Sequence, residues 1–110
     1  MSLETGLSSK HCAPCSGGVP RLEGEPLRQL SAQVPGWSVV DGHHLERTSV
    51  FPDFKSALSF ANSVGAIAEA ENHHPELVVS WGRTIVRIWT HKVDGLTEAD
   101  FVLAARISEL

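Results

Sequence analysis

The sequence predicts an α+β fold with elements in the order α-β-β-α-β-β-α, its helices packed on one face of a four-stranded antiparallel sheet. Three observations carry this. Two pairs of strand-like runs close on turn dipeptides, Asp41-Gly42 and Gly82-Arg83. Between them, Phe54, Ala57, Leu58, Ala61, Val64, Gly65 and Ala68 recur at i, i+3, i+4, i+7 spacing, the stripe of a long helix with one buried face. Near the C-terminus, Thr97-Glu98-Ala99-Asp100 reads as a capping box, with Leu96 and Phe101 placed as its hydrophobic staple.

In chain order, residues 1–24 are rich in Ser, Gly and Pro and lack an apolar period, so they are expected to form a mobile arm ahead of a single domain over 25–110. Glu25-Pro26 suits a helix start, and Leu27, Leu30 and Val34 follow at helical spacing until Pro35-Gly36 ends the run. Trp37 to Val40 and Leu45 to Phe51 form the first hairpin, and Asp53 can cap the long helix. Pro75 disfavours helical geometry at His74, which places the end of that helix around His73. Leu77 to Trp81 and Thr84 to His91, rich in β-branched and aromatic residues, form the second hairpin. The last helix carries Phe101, Leu103, Ala105, Ile107 and Leu110, a face that must bury, with the sheet as its expected support. An open four-stranded sheet has edges that invite pairing with a second copy, so a homodimer or homotetramer is expected.

Composition narrows the function. At 110 residues the chain can bury one core without metal or disulfide staples. A formal net charge of −4 argues against a direct nucleic-acid partner, which calls for clustered Lys and Arg. No apolar run approaches the ~18 residues that span a bilayer and no secretory pattern opens the chain, so no membrane partner and a cytoplasmic location are expected. Cys12 and Cys15 form a C-x-x-C, but Gly17, Gly18 and Pro20 follow where a redox motif needs a helix, and no second pair completes a zinc site. They read as ordinary thiols, and no metal is expected.

The chemistry concentrates in Glu69-Ala-Glu-Asn72-His73-His74-Pro75. On a continuing helix Glu69, Asn72 and His73 share one face, which would let Glu69 orient His73, while the turn at Pro75 re-aims His74. Histidine donates or accepts protons near neutral pH, so paired imidazoles bordering one cavity suit acid–base chemistry; the alternative is a solvated helix end. His91 closes the last strand on the face of Arg83, Ile85, Arg87 and Trp89 and is the third member. Arg83 and Arg87 read as a solvated or oligomer face, Trp81 and Trp89 as core or interface, and His11, His43 and His44 receive no role.

These residues resemble a known family. E-x-x-N-H-H-P, S-W-G-R and T-H-K-V-D-G-L-T-E-A-D-F are similar to the pterin-4a-carbinolamine dehydratases over roughly Leu22 to Ile107. The resemblance implies dehydration of a 4a-hydroxytetrahydropterin to the quinonoid dihydropterin plus water during tetrahydropterin recycling, with a small pterin as substrate and no metal or organic cofactor. It implies His73, His74 and His91 as catalytic residues, and Glu69, Asn72, Thr90 and Asp100 as substrate-binding positions, although the capping box explains Asp100 without any ligand and strand preference can explain Thr90. Many members carry an aromatic two residues after the Pro where this chain has Leu77. Relatives on this fold also serve as dimerisation or assembly cofactors, which stands as the non-enzymatic alternative.

Overall fold

A computed structural model describes residues 20–110. Three helices, α1 (Gly24–Ser31), α2 (Phe54–Glu71) and α3 (Glu98–Ser108), accompany four strands, β1 (Ser38–Val40), β2 (His44–Val50), β3 (Glu76–Ser80) and β4 (Arg83–Ile88). The strands form one antiparallel sheet in the order β1-β2-β4-β3. The predicted class and element order are therefore those observed. Of the expected arm, residues 1–19, with Cys12 and Cys15, lie outside the described residues. Within the remainder, the Leu22 N–H donates to the Leu96 carbonyl at 2.7 Å and α1 begins at Gly24. Among the described residues no helix is long and apolar enough to cross a membrane.

Local chemistry explains the connections. Asp41 (φ 56°) and Gly42 (φ 64°) adopt the paired positive φ of a tight turn, closed by the His43 N–H donating to the Val40 carbonyl at 2.9 Å, and His43 is a third loop residue before His44 pairs with Val40. The second hairpin turns one residue earlier than expected, on Trp81 and Gly82, because Arg83 pairs with Ser80 and only Gly82 needs positive φ, 74°. A Cβ at Gly82 would also press on the Phe51 carbonyl at 3.1 Å, so Gly serves both the turn and the close approach.

Asp53 caps α2, its carboxylate accepting the Ser56 N–H at 2.7 Å. That backbone hydrogen bond, with the Ser56 side chain second, holds the carboxyl below its ordinary 3.8. Since the folded value is the lower one, the cap's contribution is complete above the unfolded value and is lost as pH falls through the folded one. Asn can accept the same bond without titrating. Asp53→Asn is therefore expected to flatten the acid limb of thermal stability against pH, followed by circular dichroism; an acid limb unchanged from wild type would contradict the assignment.

The core lies between the helices and one sheet face. Leu45, Val86 and Ile88 point into it from β2 and β4 and meet Val64 of α2 together with Phe101, Leu103 and Ile107 of α3. α3 is flanked by α2 and α1 rather than laid flat on the sheet, so Phe101, Val102, Leu103, Ala104 and Ile107 are all buried. This explains why its apolar residues spread around the helix instead of forming a single stripe. On the opposite sheet face Arg87 binds Glu46 at 2.8 Å and Glu76 at 3.0 Å, joining β4 to both neighbours.

Candidate active site

The site begins where α2 stops. The helix ends at Glu71, two residues before the expected position, because Asn72 takes the left-handed conformation (φ 53°, ψ 40°) and the His73 N–H donates back to the Ala68 carbonyl at 3.1 Å. This is the helix-ending geometry that Gly or Asn favours. The chain turns at Asn72, and Pro75 then keeps it extended into β3. Glu69 and His73 consequently do not share a helical face, and the expectation that Glu69 orients His73 is corrected. The Glu69 carboxylate instead accepts from His74 Nε2 at 2.6 Å, an exposed pair at the rim.

His73 is oriented from α3. Its Nε2 donates to Asp100 Oδ1 at 2.6 Å, with the His73 side chain 12% exposed and Asp100 fully buried. The other carboxylate oxygen, Oδ2, accepts the Thr90 hydroxyl and the Thr97 N–H, each at 2.8 Å, and the Thr90 and Thr97 hydroxyls lie 2.8 Å apart. Because Thr90 gives its proton to Asp100, Thr97 is the donor between the two hydroxyls. Asp100 thus closes the capping box of α3 and holds His73, so its structural and site roles coincide. With Nε2–H directed at a carboxylate, a neutral His73 keeps Nδ1 as its free acceptor.

His91 comes from the other side. β4 ends at Ile88, Thr90 makes an isolated bridge to Gly95, and His91 opens a 3-10 turn, His91–Val93, rather than finishing the strand. Past Ile88, Thr90 is buried and His91 exposed, while Trp89 between them is half-buried and packs against the core. The His91 ring stacks on Trp89 with centroids 4.5 Å apart and planes 18° from parallel. Among the described residues neither of its ring nitrogens has a hydrogen-bond partner.

Asn72, His73, His74, Thr90, His91 and Lys92 line one open cleft of about 370 Å³. The three histidines are therefore brought together, with Asn72 and Thr90. Glu69 stands behind His74 and Asp100 behind His73, each acting on the cleft through a histidine. Lys92 was missed by sequence reasoning, although its position next to His91 was the available signal. Leu77 pairs with Val86 and packs against the core, so it forms no part of the lining, and Trp81 is 74% exposed at its turn. Among the described residues no group of three or more His, Cys, Asp or Glu is arranged to hold a metal ion.

Fold and site together define an α+β protein with a histidine-lined cleft between a helix end and a strand end. A family model described as pterin 4 alpha carbinolamine dehydratase matches residues 20–110, and the chain belongs to that family. A Rubrobacter xylanophilus protein named "Putative pterin-4-alpha-carbinolamine dehydratase" is 54% identical over 104 residues, covering 94% of this chain and 97% of the relative. One of the same name from Rickettsia bellii is 50% identical over 111 residues, covering all of this chain and 98% of the relative. A crystal structure of a transcriptional coactivator/pterin dehydratase from Brucella melitensis superimposes with a TM-score of 0.75 at 31% identity, over 81% of this chain and 96% of that one.

Proposed function

We propose that this protein dehydrates a 4a-hydroxytetrahydropterin to the quinonoid dihydropterin plus water by histidine acid–base catalysis, a step in tetrahydropterin recycling. The observation that carries the reading is the convergence of His73, His74 and His91 on one cleft. In this reaction the C4a–O bond breaks, the hydroxyl leaves as water after receiving one proton, and a ring nitrogen gives up another. Nothing is oxidised or reduced. His73 suits the base, because the Asp100 carboxylate on Nε2 stabilises the imidazolium formed when Nδ1 accepts a proton. His91, whose ring nitrogens have no partner among the described residues, suits the acid at the leaving hydroxyl. His74, tethered to Glu69 at the rim, borders both.

Family membership supports the substrate class, and three histidines in one cleft favour catalysis over the non-enzymatic alternative. The test is a stopped-flow assay with chemically generated carbinolamine. Wild-type protein is expected to accelerate dehydration, and His73→Gln, whose amide can still donate to Asp100 but cannot take up a ring proton, to lower kcat by about 10²-fold, the lower range for loss of a positioned acid or base. No acceleration by folded wild type, or a wild-type rate in His73→Gln, would overturn the proposal.

A further inference from the structure

Among the described residues outside the cleft, a group of titratable side chains with no role assigned so far lies at the first hairpin. The tight Asp41-Gly42 turn projects His43 toward the loop that follows His91. His43 Nε2 donates to Asp94 Oδ1 at 2.8 Å, which leaves Nδ1 of a neutral ring to accept from His44 Nδ1 at 3.1 Å. Beyond it, His44 Nε2 lies 3.9 Å from Glu46 Oε1. Both rings also pack on Trp89, with centroids 5.2 Å and 5.9 Å from it. Trp89 carries His91 on its own face, and Asp94 ends the 3-10 turn that His91 begins.

His43 thus touches both supports of His91, the indole it stacks on and the far end of its turn. Asp94 holds a left-handed backbone conformation (φ 51°) and its N–H donates to the His91 carbonyl at 3.2 Å, so a contact that fixes Asp94 constrains His91. From this geometry we propose that His43 is a positioning residue for His91, acting through Asp94 and Trp89. Its catalytic meaning rests on the dehydratase reading above. The physical need is clear: among the described residues the His91 ring has no hydrogen bond of its own, and a stacked ring can slide or pivot unless its platform and backbone are both held.

The readout is the pair of His91 ring carbon-bound protons in 1H–13C spectra, which the Trp89 ring current displaces while the stack persists. His43→Ala is expected to shift them toward free-histidine positions with the His73 signals unmoved, and to lower kcat about 5-fold, the scale of an exposed charged contact. His43→Gln, whose amide can still donate to Asp94, is expected to restore much of both. Asp94→Gly keeps the left-handed backbone accessible while deleting the carboxylate, and is expected to reproduce the His43→Ala shift. His91 signals identical to wild type in both His43→Ala and Asp94→Gly would overturn the positioning role. A wild-type protein with the displaced His91 signals and no turnover would instead overturn the dehydratase reading, so the two failures are distinguishable.

Discussion

Asp100→Ala is expected to cost about 3 kcal/mol of stability and to lower kcat by about 10²-fold. The carboxylate is fully buried and receives three donors, His73 Nε2–H, the Thr90 hydroxyl and the Thr97 N–H. Deleting it leaves those groups without their acceptor, opens the capping box of α3 and frees the His73 ring. For a domain of this size the stability loss corresponds to a fall in Tm of roughly 14 °C. Asp100→Asn separates the two consequences. Its carbonyl can still accept from Thr90 and Thr97, but its amide then faces His73 Nε2 and favours the tautomer with the proton on Nδ1, the atom assigned to accept one. Most of the stability should therefore survive while turnover falls. Thermal melts and the stopped-flow assay on both variants check this; an Asp100→Asn enzyme with wild-type kcat would show that His73 does not depend on this carboxylate for its chemistry.

His91→Ala is expected to lower kcat by about 10²- to 10⁴-fold while stability changes by no more than about 0.5 kcal/mol. The ring is exposed and stacks on one face of Trp89, so its removal leaves no core cavity and no buried donor or acceptor without a partner. That contrast with Asp100 is useful, because a loss of turnover in a fully stable variant is hard to attribute to damage elsewhere. Circular dichroism melts alongside single-turnover rates measure both quantities. Retention of the wild-type rate would remove His91 from the proposed mechanism.

Features of the site differ in how legible they were. The capping box over Thr97 to Asp100 was readable because both partners lie within one helical turn, and the Asp53 cap and Asp41-Gly42 hairpin were readable for the same local reason. The partners of the histidines were not. Glu69 looked suited to His73 only if the helix continued, and the left-handed Asn72 redirected it to His74. Asp100 bonds His73 across 27 positions, a separation that no helical or strand periodicity spans. His43 had no visible role because the partners that explain it, Trp89 and Asp94, are some 50 positions away.

By itself, then, the sequence determined the α+β class, the order of elements, the caps and turns, and the His73-His74 pair as the place to look, since each of these rests on residues close together along the chain, whereas His91 joined them through the family resemblance. Only the tertiary structure decided which carboxylate serves which histidine, that Asp100 works both in a cap and behind His73, and that Leu77 belongs to the core rather than the cleft. The reason is physical. Caps, turns and apolar stripes are set by backbone geometry over one or two turns, whereas the partner of an imidazole is whichever acceptor the packing of α3 against α2 brings within hydrogen-bond reach.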